Sequence, residues 1–186
     1  MCRYLLEKVR LTYQSTGERN YHVFYQLFNS GDDAVLRSAG VDGVKSLEDF
    51  HYLGQSGCTS MRYESDDEGY RATTAAFDVM GLTATEVTDV WRCLGALLNL
   101  GNVQFEATEA SGGGDGCRVT DDTRPRLEAA AQRLGVTTVG LEAVLTSKTC
   151  VGSGWGCVLQ PCVAVAVAVA VAVAVTVAVV VVVSCT

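Results

Sequence analysis

The chain has 186 residues, 48% of them hydrophobic and 19% charged, and a net charge of −7. That length sets an expectation of one domain, two at most, and the acidic balance excludes the clustered Lys and Arg of a nucleic-acid footprint. The averages hide a split. Every Asp, Glu, Lys and Arg lies between Met1 and Lys148, and Val151 to Thr186 carries no charge. The N-terminal residues Met1 to Lys8 contain no apolar run of signal-peptide length. None of the 8 cysteines forms Cys-x-x-Cys, and His22 and His51 are far apart. Scattered reduced thiols are therefore expected, not a zinc site or a disulfide framework.

In chain order, Tyr4 to Gln14 mixes β-formers with charges and reads as a short extended piece ended by Gly17. Glu18 to Phe28 reads as a helix, with Tyr21, Phe24, Tyr25 and Phe28 on one face and Glu18 at the positive end of its dipole. A short helix follows from Asp33 to Gly40. Asp42 to Glu68 reads as loop, with one turn at Ser46–Asp49, apolar anchors Phe50, Tyr52 and Leu53, and a solvated acidic run Ser65 to Glu68. Gly69 to Met80 is helical again. Thr83-x-x-Glu86 is a capping box, and Val87, Val90, Trp91, Leu94, Leu97 and Leu98 recur behind it at helical spacing, with Gly101 at the end. Val103 and Phe105 suggest a short strand before the glycine-rich loop Ser111 to Gly116. Helices are expected from Pro125 to Leu134 and from Val139 to Leu145. The body is thus mainly α. All Phe and Tyr residues lie in it, with Trp91, enough rings for a sizeable core.

Catalytic and binding patterns are scarce. Gly40-Val41-Asp42-Gly43-Val44-Lys45-Ser46 approaches a P-loop, but Val44 separates Gly43 from Lys45 and no strand precedes it. Gly112 to Gly116 lacks the strand–turn–helix setting of a dinucleotide fingerprint. His22 and His51 have no nucleophile beside them and read as ordinary helix and loop residues rather than general bases. Ser56-Gly57-Cys58 offers a thiol that reads as a small buried hydrophobe rather than a reactive group.

Four segments in order resemble the myosin motor domain. They are Tyr4-Leu5-Leu6-Glu7-Lys8-Val9-Arg10, Gly17-Glu18-Arg19-Asn20-Tyr21-His22-Val23-Phe24-Tyr25-Gln26-Leu27, Phe50-His51-Tyr52-Leu53-Gly54-Gln55-Ser56-Gly57-Cys58, and Leu94-Gly95-Ala96-Leu97-Leu98-Asn99-Leu100-Gly101-Asn102-Val103-Gln104-Phe105. The resemblance covers Tyr4 to Leu145 and departs from the family at Gly54, where Asn is usual, and at Asn99, where His is usual. Gly54 is expected to loosen its loop. The resemblance implies an incomplete, mainly α fragment of the α/β P-loop motor fold, from the upper 50-kDa subdomain after switch I. It implies actin and the rest of the motor as partners, and a cytoplasmic, cytoskeletal location. The ATP and Mg²⁺ of the complete motor belong to a P-loop and two switches that this sequence does not contain. No catalytic, cofactor or metal residue is assigned. Tyr4, Leu5 and Glu7 are implied to continue from switch I toward the cleft apex, and Glu18, Arg19, Asn20, Tyr21 and His22 to brace the switch I side of the cleft. Plain core packing is the competing reading of the same residues.

The resemblance fades near Cys150, so a partial motor domain is expected over 1–150 and a low-complexity tail over 151–186. From Val163 to Val183 every odd position is Val, and the even ones are Ala except Thr176, Val180 and Val182. Single-base codon changes in a six-base repeat produce that pattern, which suggests translated repeat DNA. The alternative is a membrane anchor, since 21 residues as a helix span ~31 Å against a hydrocarbon core of ~30 Å; no Lys, Arg or Tyr flanks the run. Three function classes follow: a truncated motor fragment without activity of its own, a membrane-tethered binding module, or a non-functional gene-model product.

Overall fold

A computed structural model describes residues 9–61, 65–109 and 115–146. The chain there is mainly helical. Tyr4, Leu5, Glu7 and the whole Val/Ala tail lie outside the described residues. Among the described residues no helix is long and apolar enough to cross a membrane.

The first element, α1 (Val9–Thr12), is a helical turn where an extended piece was expected. Leu11 turns inward and is buried, and the Gln14 amide donates to the carbonyls of Arg10 and Leu11, satisfying groups that a helix end leaves open. The next helix, α2 (His22–Phe28), begins four residues after Glu18. Ser15 to Glu18 instead forms a turn closed by Glu18 N–H to Ser15 O at 3.0 Å, with Gly17 at φ +83°. Glu18 therefore does not serve the α2 dipole. Helix α3 (Asp33–Ala39) is capped by Asp32, whose carboxylate accepts from Ala34 and Val35 N–H, and is ended by left-handed Gly40.

Ser46 caps a 3-10 turn, Leu47–Asp49, as expected, and a short α4 (His51–Gly54) follows inside what reads as loop. Phe50, Tyr52 and Leu53 are buried anchors. Gly54 does not loosen this segment. A Cβ there would stand 2.9 Å from the Glu48 carbonyl, so the glycine permits close contact with the preceding turn. Helix α5 (Asp66–Val79) starts within the acidic run, which forms its first turn rather than a solvated loop.

The central element is α6 (Ala84–Gly101), ~27 Å long. Its capping box forms as expected. Trp91, Leu94, Leu97 and Leu98 enter a first core with residues of α1 to α5. Ala96 and Leu100 enter a second core with the remaining elements. Those are the hairpin β1 (Phe105–Glu109) and β2 (Asp115–Val119), antiparallel with Phe105 opposite Val119, then α7 (Arg124–Leu134) and α8 (Thr138–Thr146). At Gly95 the α3 and α6 backbones meet: a Cβ would fall 1.9 Å from the Ala39 carbonyl oxygen.

Candidate functional site

The candidate residues converge where the loop 17–20 crosses α1, α2, α4 and α5. Asn20 is 2% exposed. Its Nδ2 donates to Leu11 O at 3.0 Å and to Tyr52 O at 2.8 Å, and its Oδ1 accepts from Tyr21 N–H at 2.7 Å. Its own N–H donates to the Tyr25 hydroxyl at 3.1 Å. One side chain thus binds α1 and α4 and holds the entry to α2. Gly17 N–H adds a bond to Ser56 O at 3.1 Å.

Arg19 carries the loop to α5. Its side chain is 5% exposed, and Nη2 contacts both Asp66 carboxylate oxygens, at 3.0 and 2.8 Å. The guanidinium lies 3.7 Å from the Tyr25 ring centre, a close cation–π approach. Nε and Nη1 have no partner among the described residues. Arg10 donates to the Arg19 carbonyl at 3.2 Å and pairs with Glu18 at 3.7 Å. Burial raises the Tyr25 hydroxyl pKa above its ordinary value, opposed by the Asn20 hydrogen bond and the Arg19 charge. Burial alone raises Tyr52.

Of the sequence-predicted residues, Arg19, Asn20 and Tyr21 come together, and Glu18 sits exposed at the rim. His22 is the exposed first residue of α2 and faces no nucleophile in the node. Sequence reasoning missed Asp66 and the roles of Tyr25 and Tyr52. The acidic run before α5 was the available signal for Asp66, and the buried Arg in the loop demanded such a partner. Apart from Arg19 Nε and Nη1, the side-chain groups of the node are spent on backbone and on one ion pair. The arrangement fixes the geometry of the loop against four helices.

The P-loop-like stretch does not fit a nucleotide phosphate. Gly40 ends α3, Ser46 starts the 3-10 turn, and the Arg133 guanidinium lies within 2.1 Å of where a Gly40 Cβ would be. Gly40 and Val41 N–H bond back to the last turn of α3, and Ser46 N–H bonds to the Asp49 carboxylate. Asn99 is buried, donating to Gly40 O at 3.2 Å and Gly95 O at 2.9 Å and accepting from Arg126 at 3.2 Å. The Cys58 thiol is half-buried, 3.7 Å from Ser60 O. Among the described residues no three His, Cys, Asp or Glu side chains group as metal ligands.

The sequence model of the myosin head (motor domain) family matches residues 1–179, past the Cys150 boundary where the motifs end. Unconventional myosin-Ic of Danio rerio is 34% identical over 151 residues, covering 81% of this chain and 14% of that protein. Myosin-J heavy chain of Dictyostelium discoideum is 36% identical over 151 residues, 80% of this chain and 6% of that one. Unconventional myosin-XV of Homo sapiens is 35% identical over 147 residues, 78% of this chain and 4% of that one. The chain therefore spans 14% or less of the length of these relatives. With a family match over nearly its whole length, the chain belongs to the myosin head (motor domain) family.

Proposed function

We propose that this chain is one mechanical body of an actin-based, ATP-driven cytoskeletal motor, and that alone it neither hydrolyses ATP nor moves on actin. The observation that carries the reading is the node at Arg19 and Asn20, which joins four helices through buried directional bonds. A body held this way moves as a unit and passes a displacement from one edge to another. In this reading Tyr4, Leu5 and Glu7 continue from switch I toward the cleft apex, and Glu18, Arg19, Asn20, Tyr21 and His22 brace the switch I side of the cleft. Phosphoryl transfer needs a phosphate cradle, a metal site and a water-positioning group. The stretch nearest to a cradle is occupied by helix ends and Arg133. ATP, Mg²⁺ and actin therefore belong to the complete motor. Purified full chain with Mg-ATP is expected to release no phosphate above blank, with or without actin filaments. Actin-stimulated release refutes the inactivity; a chain that unfolds without a cooperative transition refutes the rigid body.

A further inference from the structure

Ten Lys and Arg residues lie among the described residues, and six of them stand within ion-pair distance of a carboxylate: Arg10, Arg19, Arg71, Arg92, Arg118 and Arg124. The remaining four, Arg37, Lys45, Arg126 and Arg133, have no carboxylate that close among the described residues. They are not scattered. Three gather on Gly40, the left-handed end of α3. Arg133 crosses it, with its Nε 1.8 Å from where a Gly40 Cβ would be; that Nε is buried without a partner, and Nη1 donates to Ala129 O at 3.1 Å and to Gln132 Oε1 at 3.3 Å. Arg126 reaches Gly40 through Asn99, which bonds to both. Arg37 lies one turn before Gly40 and is exposed, and its carbonyl accepts the Gly40 N–H at 3.1 Å. Lys45 follows five residues later.

The negative end of the α3 dipole attracts these cations, but the effect is modest and confined to the last turn. Uncompensated positive charge is out of place in a chain of net charge −7. The nearby carboxylates do not relieve it. Asp49 is engaged with Ser46 N–H, and Asp42 and Glu48 pair with none of the four. Lys45 lines an open cavity of about 340 Å³ with apolar Phe28, Val44 and Leu47 and polar Asn29, Ser46, Glu48 and Thr59. Its Phe28 ring lies 5.4 Å from Phe50, over which Arg126 sits at 5.6 Å. Arginine forks match carboxylates, and the cavity has room for an apolar side chain against Phe28, Val44 and Leu47.

We propose that this corner binds an acidic polypeptide segment, with carboxylates on Arg37, Arg126 and Arg133 and an apolar side chain in the cavity beside Lys45. The inference stands apart from the motor reading. The probe is a fluorescein-labelled Glu-Glu-Leu-Glu-Glu peptide titrated with the full chain at low salt. Arg37→Gln with Lys45→Gln removes two cations that make no hydrogen bond among the described residues, so the fold is retained; affinity is expected to fall at least tenfold. Arg71→Gln with Arg92→Gln makes the same charge change at paired positions and is expected to leave affinity within twofold. A Glu-Glu-Ser-Glu-Glu peptide is expected to bind at least threefold more weakly. Absence of binding, equal loss in both variant pairs, equal binding of the serine peptide, or competition by inorganic phosphate or anionic vesicles at the peptide's own concentration each overturns the proposal.

Discussion

The cores on the two sides of α6 are made of different materials. The first holds rings, with Trp91 5.2 Å from Tyr70 and 6.0 Å from Phe77, and Phe24, Tyr25 and Phe50 fully buried. It also holds the polar node of Arg19 and Asn20. The second is aliphatic, built from Leu127, Ala130, Ala131, Leu141, Leu145 and Val119, and its ion pairs, Arg124 with Glu142 and Arg118 with Glu106, lie at the rim. Buried directional bonds select one geometry and are costly to leave half made. Aliphatic packing asks mainly for volume and tolerates rearrangement. The first region is therefore specified mainly by direction and the second mainly by filling.

The largest effect that tests this contrast is Trp91→Ala. Removing a buried indole is expected to cost about 4 kcal/mol in urea unfolding, against about 3 kcal/mol for Leu127→Ala in the second core. The two are expected to add within about 0.5 kcal/mol, because Trp91 and Leu127 lie in separate cores on either side of α6. Strong coupling between them would show that α6 makes one core and not two.

Next in size is Asp66→Ala, which strands a guanidinium that is 5% exposed. The expected loss is about 3 kcal/mol. The exposed pair of Arg92 and Asp89, at 3.0 Å against 2.8 Å in the node, is the control: Asp89→Ala is expected to cost less than about 0.5 kcal/mol. Similar losses would mean that the node is no better protected from water than the surface. At the seam, Gly95→Ala sets two effects against each other. Alanine gains about 1 kcal/mol of helix propensity, but its Cβ would meet the Ala39 carbonyl at 1.9 Å. Backbone cannot yield there as a flexible side chain does, so a net loss of about 2 kcal/mol is expected from thermal melts.

What was legible in the sequence was local. Helices α3, α6 and α7 carry their own start and stop chemistry: Gly40, Thr83 and Gly135 act as the pattern suggests, while the Asp32 cap of α3 was not foreseen. The family was legible too, from four short segments in order. The start of α2 was not, because Arg19 and Asn20 are held out of a helix by bonds to Leu11, Tyr52 and Asp66, up to 47 residues away. Asp66 looked solvated for the same reason, since its partner lies on another element. Strand β2 has little alternation of its own, Asp115-Gly116-Cys117-Arg118-Val119, and forms by pairing with β1. Sequence pattern reports what a segment does alone, and the candidate site consists of what segments do to each other.

The smallest expected effect lies at the one feature both regions share, the start of α6. Thr83 Oγ1 accepts Glu86 N–H at 3.3 Å, and the Glu86 carboxylate accepts the Thr83 N–H and hydroxyl, both at 2.8 Å. Thr83→Ala is expected to cost about 1 kcal/mol. The backbone bond, then the side-chain bond, hold the Glu86 carboxyl below its ordinary 4.5. A lowered folded value means the unfolded chain binds the proton first. The contribution is therefore complete above the ordinary carboxyl value and is lost as pH falls through the folded one. Glu86→Ala is expected to melt below the parent chain at pH 6 and to converge with it as the pH falls through the lowered folded value. A difference unchanged at pH 3 would mean that the charge at Glu86 contributes nothing, and that the cap shared by both cores rests on the Thr83 hydroxyl alone.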